Sequence, residues 1–166
     1  MVNRRVVIGL LAAGAAAATY GIFFMSSDED EIRELCDELE AALTFPAERG
    51  NPAFFALALR DKLKKVLAPN AQLIVPEAGE GALGLDAAVG GAMQIGGGFK
   101  SAGVDLENVR ISISSKTSAS VTCRAVATAF DHAGGPQRHE RDVTMEVEKI
   151  DGEWRFTRIT AIRTGE

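Results

Sequence analysis

The chain has 166 residues and a formal net charge of −5, with 46% hydrophobic and 25% charged residues. That composition is globular and suits one domain of ordinary size plus an appendage. Its acidity argues against nucleic acid as a partner, because an acidic surface repels a phosphate backbone. Cys36 and Cys123, the two cysteines, have no spacing that suits a zinc site.

Arg4 and Arg5 precede an uncharged run from Val6 to Met25, VVIGLLAAGAAAATYGIFFM, and SSDEDE follows it. About 20 apolar residues span a bilayer core as a helix. Basic residues before the run and acidic ones after it favour a cytoplasmic N-terminus and an exported C-terminal part. The run continues through Tyr20 to Met25, past any small-residue cleavage site. Residues 1–25 therefore read as an uncleaved signal anchor, with a cleaved signal peptide or an alanine-rich buried helix as alternatives. The expected location is a single pass through the inner (cytoplasmic) membrane, with residues 26–166 as a periplasmic domain.

Ser26 and Glu29 have capping-box spacing, and the acids at 28–31 suit a helix N-terminus. Ile32, Leu35, Cys36, Leu39 and Leu43 recur at helical spacing, so a first helix runs to near Pro46. Asn51 and Pro52 open a second helix, whose apolar side is read as Phe54, Phe55, Leu57, Ala58, Leu63, Val66 and Leu67. Ala68-Pro69-Asn70 is expected to stop it. A short strand at 72–75 and a third helix at about 85–95 follow.

Between that strand and the third helix lies GEGALG, residues 79–84, which fits G-x-G-x-x-G, and Asp105 lies further on. A dinucleotide turn must directly follow a strand within a parallel βαβ unit. Pro76-Glu77-Ala78 intervenes, and the later strands alternate like an antiparallel meander. No cofactor is expected. Gly90 and Gly91 inside the third helix suggest tight packing or a helix that can loosen.

After Gly103 the apolar period changes to two, giving strands at about 104–114, 119–130, 138–149 and 153–163, the last pair joined by Asp151-Gly152 as a tight hairpin. The fold class is α+β: three helices packed on a curved, mainly antiparallel sheet in the order α-α-β-α-β-β-β-β. This order, with KIDGEWRFTRITAI (149–162) closing the sheet and GLDAAVGGAMQIGGGF (84–99) as the third helix, resembles the nuclear-transport-factor-2-like, or cystatin-like, cone over residues 28–163. The resemblance implies a cone whose open end can hold a small ligand. It also implies a superfamily that mixes isomerases, dehydratases and hydrolases with noncatalytic partners in assemblies.

Alternation points Val143, Met145 and Val147 toward the helices, with His139 and Arg141 on the same parity. In the last strand Trp154, Phe156 and Ile162 share a face with Arg158, leaving Arg163 outward. His139, Arg141 and Arg158 are thus the candidate ligand-binding residues, since guanidinium groups grip carboxylate or phosphate bidentately. Snorkelling to the rim, or pairing with Glu77, Glu80 or Asp86, are the structural alternatives. Outward Arg124 and Arg155 are expected to pair with Glu146 or Glu148.

Tyr20, the one tyrosine, lies in the apolar run, so the domain has no phenol for an isomerase-like oxyanion site. No residue is assigned a catalytic or metal-binding role. The two cysteines read as buried free thiols, with a disulfide as the alternative. The expected function is a membrane-anchored, exported, noncatalytic interaction module of a bacterial envelope assembly, binding a partner protein or itself. A small-ligand cone, in particular one for anions, is the second expectation, and an isomerase- or dehydratase-like enzyme the third.

Overall fold

The structure is a computed structural model that describes residues 27–48, 50–75 and 84–165. The apolar run 6–25, Glu77, Glu80 and most of the 79–84 glycine motif lie outside these residues. No helix of the described residues is long and apolar enough to cross a membrane.

Helix α1 (Asp28–Ala42) starts with a capping box one residue later than expected. The Ser27 hydroxyl accepts the Asp30 N–H at 3.2 Å, and the Asp30 carboxylate accepts the Ser27 N–H at 3.3 Å. Two adjacent serines followed by four acids offer both registers, so spacing alone does not choose between them. The helix buries Ile32, Leu35, Cys36, Leu39 and Ala42. Beyond it, Phe45 exchanges backbone hydrogen bonds of 2.7 and 3.0 Å with Ala102, which fixes the exit from the helix to a sheet edge.

Helix α2 (Pro52–Val66) is capped by Asn51, whose Oδ1 accepts the Ala53 N–H at 2.9 Å. Its buried positions are Leu59, Leu63 and Val66, with Phe55 packed against the core. The seven apolar residues read as one side of this helix are too many for one face: Phe54, Leu57 and Ala58 are exposed. Strand β1 (Leu67–Ile74) leaves the helix directly, so residues 68–70 are strand rather than a connection. Pro69 is tolerated because β1 is an edge strand and its pairing is irregular between Leu67 and Gln72.

Helix α3 (Leu85–Gly98) extends three residues past the expected end. A Cβ added at Gly90, Gly91, Gly97 or Gly98 would meet nothing within 4 Å, so close packing does not explain these glycines. Strands β2 (Ser101–Ser115), β3 (Ser118–Phe130), β4 (Pro136–Ile150) and β5 (Glu153–Arg163) complete a sheet of order β1-β5-β4-β3-β2. Pairing is antiparallel except between β1 and β5, so the sheet is mixed. Asp151 and Gly152 both have positive φ, 54° and 89°, as a two-residue hairpin turn requires. Strands β1 and β2, which α3 connects, lie on opposite edges. The glycine motif therefore does not sit in a βαβ unit of neighbouring strands.

The core lies between the helices and one face of the sheet. Phe156, Met145, Val121 and Val147 meet Ile32, Leu63 and Val66 there, all buried to within 2% of full exclusion from solvent. Burying each large apolar side chain contributes about 1.5–3 kcal/mol. Cys36 and Cys123 are free thiols within this core.

Candidate ligand site at the open end of the sheet

Helix α1 lies along the sheet, and its ends define direction. At its N-terminus the Asp28 carboxylate accepts hydrogen bonds from Lys149 Nζ at 2.8 Å and Trp154 Nε1 at 3.1 Å. At its C-terminal end the Glu40 carboxylate accepts the Leu106 N–H, and Phe45 holds Ala102. The turn between β4 and β5 thus marks one end of the sheet, and the start of β4 with the end of β5 marks the other. Helix α3 begins beside Pro69 of β1, near Gly84, and ends where the Lys100 N–H donates to Phe130 O at 2.8 Å. It therefore starts beside the middle of β1 on one edge and reaches the second end, beside β2 and β3, at its C-terminus.

The helix-facing floor opens in the same direction. On β3, Ala119 and Val121 are buried, whereas Ala125, Ala127 and Ala129, on the same face, are half-buried. Ala125 pairs with Arg141, and Ala127 with His139. Both candidates therefore stand on this face, as strand parity indicates, with His139 exposed and Arg141 half-buried.

Arg158 does not join them. Glu146 pairs with Arg158 and Val147 with Phe156, so Thr157 is an extra residue in β5. Such a bulge reverses the parity of every later position in the strand. Arg158 consequently lies on the outer face, where NH1 meets Glu146 Oε1 at 3.3 Å and Nε donates to Gln72 Oε1 at 3.1 Å. Ile162 moves outward with it, opposite Asp142. Ile159, Ala161 and Arg163 turn toward the helices, opposite Met145, Val143 and Arg141. Arg158, Ile162 and Arg163 are thus all on the faces opposite to those that sequence alternation assigned. Nothing in TRITAIR announces a bulge, and only the pairing with β4 reveals it.

The other expected ion pairs also rearrange. Asp86 pairs with Arg60 at 3.0 Å, joining α3 to α2. Arg124 lies 3.8 Å from Glu140 and 3.9 Å from Asp142, while Arg155 pairs with Glu153 at 2.7 Å. The Arg60–Asp86 pair is solvent-exposed and contributes about 0–1 kcal/mol, whereas Arg124 and Arg155 are half-buried. His132 is an exposed turn residue. A concavity of about 470 Å³ lies at the opposite end, between α1 and the β4–β5 turn, where Glu31, Glu34, Glu38 and Glu153 face Lys65 and Arg155. Sequence reasoning missed it, because α1 and the hairpin are more than a hundred residues apart.

The sequence profile of the SnoaL-like domain matches residues 53–161. No curated protein sequence matches significantly. Among solved structures, the chain is similar to a nuclear transport factor 2-like superfamily protein from Salmonella enterica, at 15% identity over 82% of this chain and 90% of that one, with a TM-score of 0.64. It is similar to the CaMKII hub of S. rosetta, at 18% identity, 82% and 97% coverage and a TM-score of 0.59. It is also similar to a protein from Novosphingobium aromaticivorans assigned as an aromatic ring hydroxylase, at 15% identity, 86% and 94% coverage and a TM-score of 0.65. At these identities the likeness is one of fold: the cystatin-like cone.

Proposed function

The chain belongs to the SnoaL-like domain family, and on that premise we propose that it is a noncatalytic interaction module that assembles with further copies of itself. In this reading residues 6–25 hold it in a bacterial inner membrane, and residues 26–166 work outside the cytoplasm in an envelope assembly. The observation that carries the reading is on α2. Phe54 is 73% exposed and Leu57 59% exposed, one helical turn apart. Their neighbours Phe55 and Leu59 already satisfy the core, so the exposed pair serves no folding purpose, and adjoining large apolar side chains mark contact surfaces. The outer face of the sheet is less suited to this role. Its central row is Arg110, Thr122, Thr144 and Thr160, flanked by ion pairs. The similarity to a CaMKII hub and to the association domain of C. elegans CaMKII supports self-association over binding of an unrelated protein.

The test is light scattering on the full-length chain, extracted from membranes in a non-ionic detergent. An oligomer that dissociates in the Phe54→Ser/Leu57→Ser variant, with an unchanged far-ultraviolet spectrum, is the expected result. Exposed substitutions of this kind change fold stability by less than about 0.5 kcal/mol. A wild-type protein that stays monomeric at every concentration overturns the assembly reading. Recovery of the intact chain in the soluble fraction, without extraction, overturns the anchor.

A further inference from the structure

We propose that the outer edge of β2, from Val109 to Ile113, pairs with the same segment of a second copy of the chain, antiparallel about a two-fold axis at Ile111. Strand β2 ends the sheet order, with β3 as its one neighbour. In an antiparallel ladder, successive residues point their N–H and C=O to opposite sides of the strand. Ala102 exchanges hydrogen bonds with Phe45, and the Leu106 N–H donates to Glu40, so both residues point outward. Their partners on β3 are Ala129 and Ala125. Strand β3 pairs with β4 without a shift, so Val121 and Ala119 keep the orientation of Ala125. Ile111 and Ile113, opposite Val121 and Ala119, therefore point their backbone groups outward too. Among the described residues, no strand or bridge occupies the edge there.

Sheets guard a free edge with charge, proline or a covering segment. The opposite edge, β1, carries Pro69 and is irregular. Phe45 and Glu40 cover the first part of β2. Val109 to Ile113, VRISI, has neither guard: its single charge is Arg110, and its valine and isoleucines favour a strand. Register shifts between Glu107 and Arg110 and between Ile113 and Ser115 bound this stretch, and Ile111 is its middle. Pairing about Ile111 sets Ile111 against its own copy, and Val109 against Ile113 of the copy, on the helix-facing side. Ile113, 47% exposed, becomes covered. Arg110 comes opposite Ser112, so like charges do not meet. This self-complementarity selects a second copy over an unrelated strand. So short a pairing is weak alone, and its occupant rests on the proposed self-association: contact through α2 raises the local concentration at which β2 edges meet. Helix α1 packs against both α2 and β2, so the two contact surfaces are separate.

Oxidation of full-length chains in non-ionic detergent with copper phenanthroline tests the proposal. Cα atoms of a hydrogen-bonded antiparallel pair lie about 5.5 Å apart, within the roughly 4.4–6.8 Å of a disulfide. Ile111→Cys should therefore give covalent dimers on gels run without reductant. Ile113→Cys should give none, because the two copies of that residue stand about 13 Å out of register. Chains carrying Val109→Cys should cross-link to chains carrying Ile113→Cys when the two are mixed, and neither to itself. That mixture carries the test should Ile111→Cys not fold. Cys36 and Cys123 are buried and take no part. Adding Ile113→Pro to Ile111→Cys removes an outward N–H and should abolish the dimer. Cross-linking that persists in the Phe54→Ser/Leu57→Ser background supports the edge contact even where the α2 contact fails. An oligomer that yields neither the Ile111→Cys dimer nor the mixed dimer overturns the proposal and leaves the edge to another strand. Equal yields from Ile111→Cys and Ile113→Cys overturn it too.

Discussion

Cys36 and Cys123 show how a single residue's chemistry depends on where the chain buries it. Burial pushes the Cys36 thiol up to about 12, with the nearby Cys123 adding to the effect. Burial likewise pushes Cys123 up to about 11. Thiolate is the reactive form, and the apolar seam between α1 and β3 withholds it. Both cysteines should therefore resist an aromatic disulfide reagent at pH 8 in the native protein and react at once in denaturant. Unfolded thiols ionise above their ordinary value of 9.0, while the folded ones stay neutral. Their contribution to stability is thus intact below 9.0 and is lost as pH rises through about 11 to 12. Rapid labelling of either thiol without unfolding would contradict this account of the core.

Among the elements, α3 departs furthest from what its composition favours. Glycine within a helix costs about 0.5–1 kcal/mol relative to alanine, and α3 holds Gly90 and Gly91 in its middle. Space for a methyl group exists at both positions. Gly90→Ala and Gly91→Ala should each stabilise the fold by about 0.5–1 kcal/mol in urea denaturation. A loss of stability in either would mean that α3 packs more closely than the open space around its glycines indicates. The ion pair between Arg60 and Asp86 holds the first turn of α3 to α2, but as an exposed pair it adds little. Helix α3 is thus the element of the cone least supported by its own sequence.

Across the whole molecule, Asp28 joins the first helix to the last hairpin. The hydrogen bond from Lys149, helped by that from Trp154, holds the Asp28 carboxyl below the ordinary carboxylate range. The same bond raises Lys149 above its ordinary value. Lys149 also stands 5.3 Å from the Trp154 ring centroid, so the tie couples charge and packing. A depressed carboxyl stabilises above its unfolded pKa and loses that contribution as pH falls through the folded value. A raised ammonium stabilises below its unfolded pKa and loses it as pH rises through the folded one. The difference in unfolding free energy between wild type and Asp28→Asn should accordingly be largest near neutral pH and shrink at both extremes. A difference that stays constant from strongly acidic to strongly alkaline pH would show that the charges of Asp28 and Lys149 contribute nothing to stability.

Much of this architecture is local and legible in the chain. Asn51 followed by Pro52, the period-two runs of β3 and β4, and Asp151-Gly152 each encode their element through backbone preferences that act over a few residues. The order of those elements suffices to suggest the cone. The sequence also indicates that His139 and Arg141 share the face of Val143, because β4 pairs with β3 without interruption. What only the tertiary structure decided depends on partners distant in sequence. Leu67 to Asn70 became strand because β5 offered a parallel edge, which overrode Pro69. Phe54 and Leu57 were left exposed because a helix packed on a sheet buries one narrow stripe, here Leu59, Leu63 and Val66. Thr157 bulged against β4, and one extra residue exchanged Arg158 for Arg163 at the open end. Alternation reads strand parity only while pairing is regular, and regularity is a property of two strands together.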